Sequence, residues 1–190
     1  LGDVYKRQIL GGLMTINIVI FVAVSLFRLV FLRKSSQNEQ DILAKGGMEY
    51  GVKNSTIMKY LHMLFYAVCF LELLLKKPAF DFVSLLGAVL LLFSMFMLYL
   101  VAKLLGPVWT IKLMLVKDHK FVDHWLFRNV KHPNYFLNVV PELVGLALLS
   151  HAYFALFILF PLYCITLYVR IKEEEQLLKE VIIPNGIAGE

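Results

Sequence analysis

The sequence predicts an all-α integral membrane protein with about five transmembrane helices, the last two forming a C-terminal helical hairpin. Three observations lead there. Of 190 residues, 59% are hydrophobic and 17% charged, and mean hydropathy is +0.72, whereas a soluble domain is about 45–50% apolar and about 25% charged. Apolar stretches close to the ~19 residues that cross about 30 Å of hydrocarbon recur along the chain. Backbone groups in lipid must be satisfied internally, and the alternating strands of about ten residues that would build a barrel are absent, so the stretches read as helices. Soluble and disordered classes are excluded.

The opening Leu1-Gly2-Asp3-Val4-Tyr5-Lys6-Arg7-Gln8 is similar to translated vector sequence. Residues 1–13 are therefore expected to be a non-native or disordered extension, with Met14 as the natural start. Residues 14–105 hold the first three helices and a cytoplasmic loop at 33–56. The first apolar stretch, 9–32, carries only Arg28, near enough its end to snorkel. The second, 57–75, contains Lys59 and Glu72, and the third, 82–102, has no charge. Residues 106–180 form a region with an amphipathic loop and two further helices, 133–150 and 152–169, so closely spaced that they must turn tightly on each other. Residues 181–190, with Pro184-Asn185-Gly186, read as a frayed tail.

Five spans leave only Lys6, Arg7, Lys76 and Lys77 on one side and most of the basic residues on the other, in 33–56, 103–132 and 170–190. The positive-inside rule then places the C-terminus and both long polar connections in the cytoplasm. The net charge of +5 is thereby explained without nucleic acid. Cys69 and Cys164 lie inside apolar runs without metal-ligand spacing, so they read as buried thiols, and no metal site is expected.

Several polar groups remain. Between Gly106 and Lys131, Trp109, Phe121, Trp125, Leu126 and Phe127 alternate with Lys112, Lys117, Lys120 and Arg128. Such a segment docks at headgroup depth, and it is also suited to be a lid or wall over a site. Lys131-His132-Pro133-Asn134-Tyr135 opens the fourth helix, with Pro133 suited to a first turn. The order of spans brings this element beside Arg170-Ile171-Lys172-Glu173-Glu174-Glu175 at the end of the fifth. Arg170 and Glu174 share a helical face, which fits an i,i+4 ion pair or a pocket that handles charge where membrane meets cytosol. Glu142 lies about 15 Å into the fourth helix, where an ionisable group faces protein or a water-filled cavity. It is either a packing glutamate beside Pro141 or part of a site. Glu72 and His62 read as packing or interfacial groups.

These residues resemble the isoprenylcysteine carboxyl methyltransferase family of integral membrane enzymes. A basic-His-Pro-x-Tyr element followed by Arg-Ile-x-x-Glu-Glu-x-x-Leu matches residues 131–135 and 170–178. Arg28, Asn38-Glu39, Gly47-Met48-Glu49-Tyr50-Gly51, His62, Glu72, Gly106-Pro107-Val108-Trp109-Thr110 and the stretch 131–145 are similar to a bacterial branch associated with type III polyketide synthases. The resemblance covers about residues 26–180 and implies S-adenosylmethionine as cofactor. It implies His132, Pro133, Tyr135 and Glu174 as cofactor contacts, and Arg170 and Glu174 as catalytic. Trp109, Asn138 and Glu142 are candidate substrate contacts. The resemblance implies O-methylation, in a bacterial inner membrane, of a carboxylate or acidic hydroxyl on a lipophilic small molecule, an alkylpyrone or phenolic lipid or an isoprenylcysteine-like acceptor, entering from the bilayer. Trp125 and Phe127 stand where many members have Gly and Tyr, which removes that Tyr's hydrogen bonds. Membrane sterol reductases share a His-Pro-x-Tyr-like element, so an NADPH-dependent double-bond reductase is the alternative enzyme, against which residues 170–178 argue. A non-catalytic multipass scaffold is the third reading.

Overall fold

A computed structural model describes residues 2–115, 124–177 and 179, with side chains from Thr15 onward. Residues 116–123, including Lys117, Lys120 and Phe121 of the amphipathic stretch, and the tail 181–190 lie outside the described residues. The chain runs α1 (Gly2–Ala44), β1 (Met48–Tyr50), α2 (Val52–Lys76), α3 (Phe82–Leu105), β2 (Leu113–Leu115), α4 (Trp125–Asn129), a π-helical turn (Asn134–Val139) leading into α5 (Val140–Leu149), and a second π-helical turn (Ala155–Leu159) leading into α6 (Phe160–Leu177). It is an all-α integral membrane protein but for one small antiparallel ribbon, in which Met48, Glu49 and Tyr50 pair with Leu115, Met114 and Leu113.

Four helices are long and apolar enough to cross a membrane: Thr15–Ala44, Val52–Lys76, Phe82–Val108 and Ala155–Leu177. The stretch expected as a fourth span is shorter, Asn134–Leu149, about 24 Å at 1.5 Å per residue. Protein covers it instead, as α5 packs against α3 more extensively than any other pair of elements. The contact needs glycine on both sides. A Cβ on Gly87 would fall 2.5 Å from Leu149 N and 2.7 Å from Gly145 O, and one on Gly145 would fall 3.0 Å from Gly87 O. Without a hydrophobic drive between helices in lipid, close backbone approach of this kind supplies the attraction. Gly87→Ala is accordingly expected to cost about 1–3 kcal/mol, read as a lower unfolding temperature in detergent. Unchanged melting would show that the two backbones can part freely.

The expected loop at 33–56 is a correction: α1 continues through Ala44 as helix. Its polar last turns have a docking surface. Asn38 Nδ2 donates to Gly106 O at 3.1 Å and Trp109 O at 2.7 Å, and Ile111 N donates to Ser35 Oγ at 2.8 Å. Lys112 pairs with Glu39 at 3.3 Å and Glu49 at 3.1 Å, and the bonded Glu49 carboxylate holds the Lys112 pKa above its usual value. These contacts fasten the segment after α3 across the end of the bundle.

The opposite end is closed by polar contacts. Asp81 caps α3 by accepting from Ser84 N at 2.9 Å, and His151, at φ 51° in the turn after α5, lies 3.2 Å from Asp81 Oδ1. Glu72 accepts from Ala155 N at 3.2 Å and pairs with Lys76. It thus caps the start of the last helix, a specific packing role within the class expected for it.

Candidate active site

Arg170 comes from the second half of α6, where about three turns of mostly apolar sequence give way to charge. It is 2% exposed. Its Nη1 donates to Ser55 Oγ at 2.6 Å, Nη2 to Ile111 O at 3.2 Å and Nε to Tyr135 Oη at 3.2 Å. The last contact depends on the π-helical turn that opens the helix carrying Tyr135. All three acceptors are neutral. The Tyr135 hydroxyl donates in turn to Glu174 Oε2 at 2.8 Å. Among the described residues, Arg170 and Glu174 therefore communicate through Tyr135 and form no direct ion pair, which corrects the i,i+4 pairing allowed by spacing alone.

His132 stacks on Tyr135 with ring centroids 5.8 Å apart. It is 4% exposed, and neither ring nitrogen has a hydrogen-bond partner. Nδ1 lies 3.4 Å from Glu174 Oε1, and Nε2 lies 3.8 Å from Glu175 Oε1, which is held by Lys131 at 2.7 Å. Pro133 precedes the π-helical turn as its N-cap. Asn54 ties α2 to α6 through Thr166 O at 3.1 Å, and Gly51, at φ 61°, holds a left-handed backbone that suits glycine beside the Glu173 carboxylate.

Beneath this cluster lies a cavity of about 620 Å³. Arg170, Tyr135, Ser55 and Ile111 form one polar group in its lining, and Arg28, His62, Tyr66 and Tyr163 also line it. Its remaining walls include Leu29, Leu32, Met58, Met63 and Val139. Leu29, Leu32 and Met63 are also exposed on the lipid-facing surface of α1 and α2. Most of the lining is apolar.

Trp109 corrects the expectation of a headgroup anchor. It is 1% exposed, packs edge-on against Phe31 at 5.9 Å and belongs to the cavity wall, the other role that its segment suited. Trp125, at 61% exposed, retains a surface position. Asn138 lies off the cavity: it accepts from Ser94 Oγ at 3.1 Å and donates to Asn134 Oδ1 at 3.1 Å, joining α3 to the π-helical turn. Glu142 is fully buried behind the lining residues, held by Arg28 Nε at 3.2 Å and by the Tyr66 hydroxyl, with His62 Nε2 3.6 Å away. Arg28 therefore turns inward to this carboxylate and does not snorkel. Ser55 and Ile111 were missed in the sequence, since one is an ordinary serine in a helix's first turn and the other contributes only its backbone carbonyl.

The sequence model of the isoprenylcysteine carboxyl methyltransferase (ICMT) family matches residues 85–180, just over half of the chain. The chain belongs to this family. The ICMT match takes in most of α3, both polar elements and the whole of α5 and α6. The chain is 36% identical over 166 residues to an uncharacterized protein of Haemophilus influenzae, covering 87% of this chain and 96% of that one. It is 29% identical over 146 residues to the uncharacterized protein YpbQ of Bacillus subtilis, covering 76% and 85%. No solved structure matches. Family membership supports a membrane methyltransferase, and the ICMT region contains every residue singled out from the two polar elements.

Proposed function

We propose that this protein is an S-adenosylmethionine-dependent O-methyltransferase acting on a carboxylate or acidic hydroxyl of a lipophilic small molecule. The observation that carries the reading is Arg170, a buried guanidinium bonded to three neutral acceptors at the polar end of an apolar cavity. A buried charge is costly unless paired, and three of its five N–H groups meet those acceptors, which leaves donors for an anionic oxygen. Chain length beyond that oxygen fits the apolar walls, with access from lipid between α1 and α2.

The cofactor fits the residues beside this cavity. His132 offers two buried ring nitrogens without hydrogen-bond partners, and Glu174 offers a carboxylate to a cationic ligand. His132, Tyr135 and Glu174 would hold it, with Pro133 setting the turn that presents them. When bound, S-adenosylmethionine supplies a sulfonium methyl group for in-line displacement. The protein's contribution is then alignment and exclusion of water. Arg170 orients the acceptor oxygen, and Tyr135 locks Arg170 in place. An acceptor already ionised needs no strong base. A bacterial inner membrane, with the polar end facing the cytosol that holds the cofactor, suits this arrangement.

Calorimetry on detergent-purified protein tests the reading. Micromolar binding of S-adenosylmethionine and S-adenosylhomocysteine is expected, weakened at least tenfold in His132→Ala. Binding of NADPH in their place would move the chain to the reductases, and no binding by folded protein would favour a scaffold.

A further inference from the structure

The buried group around Glu142 is not used in this chemistry, yet its partners face the same cavity as Arg170. Arg28, His62 and Tyr66 all line that cavity, and all three converge on Glu142. The group is incompletely satisfied. Arg28 engages Glu142 through Nε, and among the described residues its terminal nitrogens meet no hydrogen-bond partner. His62 Nε2 and Glu142 Oε2 are buried without a hydrogen-bond partner behind the cavity wall, so the donors open to the cavity are those of Arg28. Half-satisfied polar groups in a low-dielectric interior are costly and gain strongly from one more hydrogen-bonding group.

The two polar centres differ in charge. Arg170 has only neutral acceptors and suits an anion, whereas Arg28 is neutralised by Glu142 and suits an uncharged donor–acceptor such as a hydroxyl. Their anchors on the fourth apolar helix, Tyr135 and Glu142, are seven residues apart, about 10 Å along a helix axis. The rest of the lining is mostly apolar, with Ser25 and the exposed Lys59 also contributing.

We infer that the cavity is a two-point site, in which Arg28, His62 and Tyr66 form a subsite for a neutral hydroxyl or carbonyl carried on the acceptor's apolar portion, several bonds from the oxygen held by Arg170. The inference deepens the proposed function and rests on its assignment of Arg170 to the acceptor oxygen. It names the substrate class as an amphiphilic acid with a second, uncharged oxygen, distinct from a simple fatty acid or a purely hydrocarbon-tailed acid. The subsite selects by stranding: an acceptor without the second oxygen leaves the Arg28 terminal nitrogens facing hydrocarbon, a larger discrimination than an extra methylene provides.

The test is binding of stearate and of monohydroxystearates, with the hydroxyl moved stepwise from near the carboxylate to mid-chain, to the full-length protein in detergent. One position of the hydroxyl is expected to bind about tenfold tighter than stearate. That preference should collapse to near one in the double variant Arg28→Met/Glu142→Leu, which removes the charge pair together. If the double variant does not fold, His62→Ala replaces it, with the preference expected to fall at least threefold. Equal affinity across the series, a preference unchanged in the folded variant, or no fatty-acid binding at all would each overturn the two-point site. S-adenosylmethionine binding is measured on the same sample. A hydroxyl preference without cofactor binding would uphold the subsite and sink the methyltransferase reading, whereas cofactor binding without a preference would do the reverse.

Discussion

Arg170→Lys is expected to lower methyl transfer about a hundredfold or more, the scale seen when one oriented donor to a developing or resident oxyanion is removed. The charge survives in this variant, so the loss isolates geometry. Arg170 makes three directed bonds, to Ser55, Ile111 O and Tyr135, that fix the plane of the guanidinium. A lysine ammonium has three donors on a flexible stem and cannot reproduce that fork. Cofactor affinity should change far less than turnover, because His132 is held by its stack on Tyr135 and does not bond to Arg170. The measurement is transfer of labelled methyl from S-adenosylmethionine into organic-extractable lipid, beside cofactor calorimetry on the same preparation. Near-normal turnover in Arg170→Lys would remove this residue from the acceptor site.

Arg28→Met is expected to produce the largest loss of stability, about 3–5 kcal/mol. Glu142 is fully buried, and Arg28 is its charged partner at 3.2 Å. Removing the guanidinium strands a carboxylate among apolar helices, with only the Tyr66 hydroxyl and the neighbouring His62 to stabilise it. The double variant Arg28→Met/Glu142→Leu should recover most of the loss, since replacing both members of a buried pair with apolar groups is often neutral or better. Thermal unfolding in one detergent, run on parent, single and double variants, checks this. A single variant that melts with the parent would mean that Glu142 carries no charge to be compensated.

The two polar elements at 131–135 and 170–178 were readable as partners in the sequence because spans of fixed length force alternate helix ends to the same face. Their detailed wiring was not readable. Spacing allowed Arg170 to pair with Glu174, but the π-helical turn at Asn134–Val139 carries the Tyr135 hydroxyl between them. Trp109 illustrates the same limit. An aromatic among lysines reads as an interfacial anchor, yet the Asn38 contacts to Gly106 O and Trp109 O fasten its backbone, and its ring packs inward on Phe31. Polar residues at the end of α1 read as loop in the sequence, because the backbone partners that hold them as helix lie about seventy positions away.

By itself, the sequence determined that the protein is helical and membrane-embedded, which stretches are apolar, and that His132, Tyr135, Arg170 and Glu174 gather at one end. Those properties follow from composition, from the thickness of a bilayer and from local motif chemistry. Only the tertiary structure decided that α5 is sheltered by α3 through Gly87 and Gly145, that Ser55 and Ile111 O complete the setting of Arg170, and that Arg28 turns inward to Glu142. Each of these is a contact between residues far apart in the chain, chosen by close packing and by the need to satisfy buried polar groups, and neither constraint has a local signature in the sequence.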